Sequence, residues 1–374
     1  MIKDHLFIVF SKEHYNSLGI IRSLGKCGIE TVFIAVSTNR PASRMSKFIK
    51  EVHLVASKEE GIKLLFDKYG NMKKKPFLFT SDDEIQQLVD ENYSLLYNRF
   101  YFFNAGRDGR ITQYMNKEEV LLIARKHGLF IPTSLVVNRG EVPSNIDYPI
   151  ITKSISPNIG GWKKDVHICY SEKDLKSAFE DILSPKVLLQ EYIDKDNECC
   201  LEGLSIKSGK QIIIPMAIKY NYIIQGYYSP YMTAYPYDNQ DIISKVKSII
   251  EEIGYEGLFD VEFIVDKNGK MFFTEINFRN SIWDYIGVFD GIPFPLIWAE
   301  STLYGTIDKK WNRTLSKELI AMVEPIDYGI RVEKGSLNVS EWLNDFRCSD
   351  VLFYHDKDDF EPFREMVNHW SLYS

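Results

Sequence analysis

The sequence predicts an α/β domain followed by an α+β domain. Short strands and helices alternate over residues 6–97, an order that forms a parallel sheet with helices on both faces. Strand-like segments dominate from residue 148 onward, and two of them flank a predicted turn at residues 266–269. A chain of 374 residues is long enough for two or three such domains.

The first domain begins with an apolar strand, a helix that ends before Gly28, and a second strand rich in β-branched residues. Its strands are predicted at residues 6–10, 31–36, 52–56 and 77–80, and its helices at residues 16–27, 59–69 and 82–97. The glycines within residues 104–109 indicate a break. We therefore place the first domain at residues 1–108.

The second domain opens with a helix at residues 117–127 and then becomes rich in strands. Strands are predicted at residues 150–153, 165–170, 187–193, 198–206, 211–219, 258–265 and 271–277, and helices at residues 171–183 and 241–253. We place this domain at residues 109–310, with a smaller subdomain at about residues 148–195. Residues 311–374 lack a clear pattern, and we expect them to pack on the second domain as a C-terminal extension.

Composition excludes several classes of protein. The net charge is −7, so a basic surface for nucleic acid is not expected. The longest apolar stretches are far shorter than the ~18 residues of a membrane span, so we expect no membrane association. The five cysteines form no C-x-x-C pair, which argues against a disulfide framework and a zinc site, and favours the cytoplasm.

Residues 257–280 carry the most informative pattern. Two alternating segments flank the turn at residues 266–269. On the second segment, Glu275, Asn277 and Arg279 have the same parity and therefore share one face. Oxygen ligands on one face of a hairpin suit Mg²⁺, which binds carboxylates together with phosphate oxygens.

The strand register decides whether the other acidic residues join that face. With residues 267–268 as a two-residue loop, Asp260 faces Glu275, and Glu262 lies on the same side. A bulge at Gly269 would shift this register by one residue. The alternative to a metal site is a hairpin whose acidic face is simply solvated.

Two earlier segments have weaker signals. In residues 148–165, a strand ends at Lys153 and leads into a loop with Gly160 and Gly161, which could contact phosphates through an ammonium and backbone amides. In residues 187–198, an apolar strand breaks into a polar linker that could bind adenine and ribose. The alternatives are an exposed loop and a strand that ends in a charged turn.

Taken in order, these segments resemble the ATP-grasp superfamily, and the first domain is similar to the pre-ATP-grasp domain of its carboxylate–amine ligase branch, which includes D-aspartate ligase. The helix at residues 117–127 resembles the superfamily's entry to the nucleotide site. The other matching segments are Ile151-Thr152-Lys153, residues 154–162, Gln190-Glu191-Tyr192-Ile193, Val261-Glu262-Phe263 and Phe273-Thr274-Glu275-Ile276-Asn277-Phe278-Arg279. The fold implied is a pre-ATP-grasp βαβ domain followed by an ATP-grasp domain that binds ATP between two α+β subdomains.

The resemblance also implies the nucleotide contacts. The residues implied for phosphates are Lys117, Lys153 and Lys219, together with Gly160 and Gly161 in a loop that would close as a lid. The residues implied for adenine are Gln190, Glu191, Tyr192 and Ile193, with Glu198 on the ribose. The ligands implied for Mg²⁺, or for Mn²⁺ in its place, are Glu262, Glu275 and Asn277.

The implied activity joins a small-molecule carboxylate to an amine through an acyl phosphate, with ATP converted to ADP. Arg279 and Lys153 are the implied catalytic residues, and Arg22 and residues 81–84 are candidates for substrate contacts. A homodimer is an allowed assembly. Two other functions remain open at this point: a phosphotransferase that produces a stable phosphorylated product, and a nucleotide-binding regulatory protein without turnover.

Overall fold

The computed structural model describes residues 1–156, 162–224, 228–335 and 337–374. The N-terminal domain contains four parallel strands in the order β3-β2-β1-β4. These strands are β1 Phe7–Lys12, β2 Thr31–Val36, β3 Ile49–Val55 and β4 Phe77–Phe79. The helices of this domain are α1 Tyr15–Gly25, α2 Lys58–Leu64, α3 Asp83–Glu91 and α4 Tyr93–Leu96.

The central position of β1 explains its apolar sequence. Its first five residues are buried because helices cover both faces of the sheet. In a parallel sheet all carboxyl ends lie at one edge, so the loops after β1, β2 and β4 meet there. One predicted helix, residues 82–97, is divided in the structure. Asn92 ends α3 by donating its side-chain amide to the Leu88 carbonyl at 2.8 Å.

A connecting segment and a small sheet follow. The helices are α5 Arg110–Tyr114, α6 Lys117–Lys126 and α7 Glu172–Asp181. The strands are β5 Ser134–Asn138, β6 Ile150–Ser154, β7 Ile168–Cys169 and β8 Lys186–Glu191, antiparallel in the order β5-β8-β6-β7. The sequence did not indicate β5, and β7 is shorter than the predicted strand at residues 165–170. Both strands are too short for a clear alternation of polar and apolar residues.

The large sheet contains seven strands in the order β13-β12-β9-β10-β11-β14-β15. These are β9 Lys195–Ile206, β10 Gln211–Tyr220, β11 Tyr231–Pro236, β12 Gly257–Asp266, β13 Met271–Asn277, β14 Leu319–Met322 and β15 Val351–Leu352. The remaining helices are α8 Gln240–Ile253, α9 Asp284–Gly287, α10 Phe294–Tyr304, α11 Glu324–Tyr328, α12 Val339–Cys348 and α13 Glu361–Asn368. None of the helices in the described ranges is long and apolar enough to span a bilayer.

The segment at residues 311–374 is integrated into the fold on two sides. Its strands β14 and β15 extend the large sheet, with β14 antiparallel to β11 and β15 parallel to β14. Strands of four and two residues leave no periodicity in the sequence, which explains why the pattern there is unclear. The same segment also packs against α1 of the N-terminal domain through Arg22.

Arg22 is fully buried, so it is not a substrate contact. Its guanidinium donates to the Asp359 carboxylate at 2.9 Å and to the carbonyls of Phe353 and Tyr354 at 2.8 and 2.9 Å. The Asp359 side chain is also fully buried. Removing one partner of such a buried ion pair strongly destabilises the folded protein, because the other charge is then left buried without compensation.

We expect Arg22→Met to destabilise the protein by ~3–5 kcal/mol, because it retains the side-chain bulk but leaves Asp359 buried without its cation. Urea denaturation followed by tryptophan fluorescence would measure the loss. The matched control is Arg364→Met, which removes an exposed ion pair with Glu361 and should leave the midpoint unchanged. Equal midpoints for the Arg22 variant and wild type would contradict the structural role.

Candidate active site

Strands β12 and β13 form the predicted hairpin in a different register. Asp260 pairs with Asn277 rather than with Glu275, and Glu262 pairs with Glu275. The predicted pairing of Asp260 with Glu275 was therefore wrong by two residues. A shift of two preserves side-chain parity, so all four side chains still lie on one face of the hairpin.

Two irregularities produce this shift. Residues 267–269 form a three-residue turn in which Gly269 has a φ of +77°, and the Asp266 N–H donates to the Lys270 carbonyl at 3.0 Å. Farther along, Thr274 is an extra residue on β13, and its hydroxyl donates to the Glu262 carbonyl at 3.0 Å. Each bulge moves the register by one residue, so the second bulge restores the shared face that the first would have removed.

Asn277 lies among the carboxylates and organises them. Its amide nitrogen donates to Asp260 Oδ2 at 2.8 Å and to Glu262 Oε1 at 3.1 Å. The Asn277 amide oxygen therefore points away from both carboxylates. On the same face, Glu275 accepts a hydrogen bond from the Lys117 ammonium. The result is a cluster of carboxylate and amide oxygens on one wall of a cleft.

The acidic wall carries more negative than positive charge, and this shifts the pKa values of its carboxyl groups. Burial raises the pKa of Glu262 well above its usual value, and the neighbouring charges of Glu275 and Asp260 raise it further. Burial also raises the pKa of Asp260 to about 6, although Arg279 opposes the shift. Burial would raise the pKa of Glu275 too, but the Lys117 ammonium outweighs it and lowers that pKa. The wall therefore gains stability from added positive charge.

Two lysines provide part of that charge from outside the large sheet. Lys117 is the first residue of α6, and its backbone N–H donates to the Ile155 carbonyl at 2.8 Å. Lys153 lies on β6, and its ammonium donates to Gln190 Oε1 on the adjacent β8 at 2.9 Å. Burial, and then the charge of Lys117, lower the pKa of Lys153 to about 8. Lys153 therefore remains mostly charged at neutral pH and loses its charge as the pH rises through about 8.

The predicted adenine segment leads from β8 into β9 and lines the same cleft. Glu191 fixes the end of β8 by accepting the Thr133 N–H at 3.0 Å, and the Tyr192 N–H donates to the Pro149 carbonyl at 3.1 Å. Ile193 follows and also lines the cleft. Glu198, the predicted ribose contact, lies on β9 and pairs with Lys195.

Lys219 does not join these residues, so its predicted role at the γ-phosphate is corrected. On β10 it has the opposite parity to Tyr220, which lines the cleft, and its ammonium pairs with Glu318 at 3.1 Å. The strand alternates faces, so Lys219 lies away from the acidic wall. The predicted phosphate contacts Gly160 and Gly161 lie outside the described residues, as does most of the predicted lid loop.

Arg279 connects the acidic wall to the N-terminal domain. Its guanidinium donates to Asp83 Oδ1 at 2.7 Å and lies 3.6 Å from Asp260 Oδ1. Next to it, the Asn16 side-chain amide donates to the Asn280 backbone carbonyl at 3.0 Å. In return, the Asn280 side-chain amide donates to Asn16 Oδ1 at 2.7 Å. These buried contacts fix the first domain against the hairpin.

The loops of the N-terminal domain form the opposite part of the cleft. Of the predicted substrate contacts, Ser81, Asp82 and Asp83 line it. The sequence did not indicate eight further cleft residues, which lie at or shortly after the carboxyl ends of β1 and β2: Ser11, Lys12, Glu13, His14, Asn16, Thr38, Asn39 and Arg40. Their position after predicted parallel strands could have indicated them, since open α/β sheets bind ligands at the carboxyl ends of their strands.

The cleft has a volume of about 1210 Å³. Sites for a single small molecule usually occupy ~300–1,000 Å³. The cleft is therefore large enough for a nucleotide-sized ligand together with a second small molecule. Its acidic wall, its lysines and its N-terminal loops surround one continuous space.

No family model matches the chain. In sequence, the chain is 26% identical over 150 residues to the 2-oxoglutarate carboxylase small subunit of Hydrogenobacter thermophilus, an alignment that covers 37% of this chain and 31% of that subunit. The chain thus spans about a third of the length of the curated relative that it matches.

Solved structures match over most of the chain. An N5-carboxyaminoimidazole synthetase from Staphylococcus aureus in complex with ADP has a TM-score of 0.68 at 16% identity, covering 91% of this chain and 86% of that one. The biotin carboxylase domain of the H. thermophilus 2-oxoglutarate carboxylase has a TM-score of 0.63 at 17% identity, and the match covers 84% of this chain and 73% of that domain's chain.

An L-amino acid ligase from Bacillus licheniformis has a TM-score of 0.61 at 14% identity, covering 80% of this chain and 74% of that one. At such low identities the likeness concerns the fold. The predicted fold class is confirmed: the chain has the ATP-grasp fold, with a parallel N-terminal sheet, an antiparallel small sheet and a mostly antiparallel large sheet around one cleft.

Proposed function

We propose that the protein is an ATP-dependent ligase that joins a carboxylate to an amine and releases ADP and phosphate. The carboxylate oxygen attacks the γ-phosphorus of ATP, the bond to the ADP oxygen breaks, and an acyl phosphate forms. The amine then attacks the acyl carbon, phosphate leaves, and the nitrogen loses a proton. The observation that carries the proposal is the oxygen-rich wall of β12 and β13, which shares a cleft with Lys117 and Lys153.

The acidic wall fits a magnesium ion by the chemistry of its donors. Glu262, Glu275 and Asn277 offer hard oxygen ligands, which Mg²⁺ prefers and which Mn²⁺ also accepts. The raised pKa of Glu262 comes from burial and from neighbouring negative charge, which a divalent cation would offset. When bound, the ion would polarise phosphate oxygens and neutralise developing charge.

The other nucleotide contacts follow from the same cleft. Lys117 and Lys153 would hold the phosphates as point charges. The end of β8 (Gln190 and Glu191) and the residues that follow it (Tyr192 and Ile193) would bind adenine, with Glu198 near the ribose. Transfer between bound groups depends mostly on position and charge, so these residues would act by orientation.

Arg279 would hold the reacting carboxylate. Its guanidinium lies between the acidic wall and the N-terminal loops, and guanidinium groups match planar anions through paired hydrogen bonds. We propose a small-molecule carboxylate and a small-molecule amine as substrates. The homodimer, the cytoplasmic location, and the division into residues 1–108, 109–310 and 311–374 are further parts of this proposal.

A coupled assay for ADP release tests the function directly. Amino acids and small carboxylates would be supplied singly and in all pairs, with Mg²⁺ and ATP. A ligase requires both partners and forms an amide. A stable phosphorylated product from one acceptor would indicate a phosphotransferase, and nucleotide binding without turnover in any pair would favour a regulatory protein.

We expect Glu275→Gln and Asn277→Ala to lower the rate of ADP release by about 100-fold or more, because each removes charge stabilisation at the transferred phosphate. Circular dichroism and thermal melts would show that the fold is retained. Glu118→Gln, an exposed glutamate next to Lys117, is the control and should keep wild-type activity. Wild-type rates in either site variant would contradict the metal assignment.

Affinity for ADP should weaken as the pH rises through about 8, because the Lys153 ammonium then loses its charge. The effect should approach about tenfold for each pH unit above that value. Titration of wild type and of Lys153→Arg, which stays protonated, would measure it, and the arginine variant should show a flat profile.

The matched control is Lys219→Ala, which removes an ammonium from the opposite face of the large sheet and should bind ADP as wild type does. The same pH dependence in wild type and in Lys153→Arg would show that another group is responsible. A large loss of affinity in Lys219→Ala would reinstate that lysine as a nucleotide contact.

A further inference from the structure

One corner of the cleft is formed by the N-terminal domain and includes neither Lys117 nor Lys153. It is formed by residues 12–14, which begin at the last residue of β1, and by residues 38–40, which follow β2. These two strands are adjacent and parallel, so their ends lie side by side. The corner lies in the N-terminal domain, and none of the proposed nucleotide contacts comes from it.

The loop at residues 38–40 is held in place by a buried carboxylate. The Thr38 N–H donates to Glu13 Oε2 at 2.9 Å, and the Arg40 N–H donates to the Thr38 hydroxyl at 3.0 Å. Glu13 is buried and also pairs with Arg44 at 3.2 Å. This network orders the backbone of the loop before any ligand binds, which reduces the entropic cost of binding.

The charges of this corner are not balanced within the protein. Lys12 is compensated by Asp82 at 3.2 Å and Glu84 at 3.0 Å. In contrast, the guanidinium of Arg40 is exposed to the cleft and forms no ion pair with any carboxylate in the part of the chain that the structure describes. Arg40 is therefore a cation available to a ligand.

His14 lines the same corner as Arg40 and supplies a neutral donor. Its Nδ1 accepts the Asn16 N–H at 3.2 Å, which places the ring proton on Nε2. Burial, followed by the positive charges of Arg40, Arg279 and Lys12, lowers the pKa of His14 to about 3. The imidazole is thus uncharged at neutral pH, and Arg40 carries the charge of the corner.

The position of His14 connects this corner with the proposed chemistry. His14 lines the same cleft as Arg40 and Arg279. Its Nδ1 accepts the Asn16 N–H, and the Asn16 side-chain amide donates to the carbonyl of Asn280, the residue after Arg279, at 3.0 Å. A carboxylate held by Arg279 would therefore belong to a molecule whose remainder extends toward His14 and Arg40. The cleft is large enough for such a molecule together with a nucleotide.

We infer that Arg40, assisted by His14, binds a second anionic group of the acid substrate, so that this substrate carries at least two anions. The inference rests on the proposed ligase function and names the class of its acid substrate. The second group is a carboxylate or a phosphate-type oxyanion, because both are planar or trigonal arrays of oxygens that a guanidinium binds through two hydrogen bonds. The reacting carboxylate remains at Arg279.

Calorimetric titration of the protein with three probes tests the inference without turnover: butyrate, succinate and 3-phosphonopropionate. We expect one or both dianions to bind about tenfold or more tightly than butyrate. Tighter binding of succinate would identify a carboxylate as the second group, and tighter binding of the phosphonate would identify an oxyanion of the phosphate type.

Arg40→Ala should abolish that preference, and Arg40→Lys should keep part of it. The control is Arg125→Ala, which removes an exposed arginine at the end of α6, outside the cleft. Butyrate binding as tight as that of both dianions, no binding of either dianion, or an unchanged preference in Arg40→Ala would overturn the inference.

Titration with ADP and Mg²⁺ separates the two proposals. Wild type and Arg40→Ala should bind ADP equally, because Arg40 is not placed among the nucleotide contacts. A failure of the anion preference with ADP binding intact would remove only the second-anion site. A failure of wild type to bind ADP would overturn the proposed function itself.

Discussion

The cleft depends on three neighbouring carboxylates, of which Asp260 is buried and Glu262 and Glu275 are half-buried. Asp260, Glu262 and Glu275 lie on one face of a hairpin, where each raises the free energy of ionising its neighbours. Two groups oppose this repulsion directly: the Asn277 amide donates to two of the carboxylates, and the Lys117 ammonium contacts the third. An arrangement with this much negative charge stores electrostatic free energy that a bound cation releases.

The compensating charges come from different parts of the chain, and this determines the architecture. Lys117 comes from α6, Lys153 from the small sheet, and Arg279 from the end of the hairpin, where Asp83 of the N-terminal domain holds it. The acidic wall is therefore complete only when three parts of the fold meet. The asparagine pair of Asn16 and Asn280 and the buried ion pair of Arg22 hold the N-terminal domain in that position.

The sequence predicted the acidic face because side-chain parity along each strand survives a register error of two residues, although not an error of one. The sequence indicated a possible bulge at Gly269 but not the second bulge at Thr274, and together the two shift the pairing by two residues and leave the face intact. The predicted phosphate contact at Lys219 was wrong because side-chain parity gave no information on this strand. Strand β10 is apolar on both faces, so its sequence does not reveal which side meets the cleft.

The corner around Arg40 escaped prediction because it depends on long-range contacts. Residues 12–14 and 38–40 meet only because β1 and β2 are adjacent in the sheet. Their loops can vary in sequence without disturbing the strands, whereas the acidic face depends on the register of a hairpin. The arginine at the end of that hairpin links the two: Arg279 is bonded to Asp83, which begins α3 after β4. Any movement of the N-terminal domain would therefore also move the residue proposed to hold the reacting carboxylate, and this one guanidinium would couple the proposed substrate recognition to the proposed phosphoryl transfer.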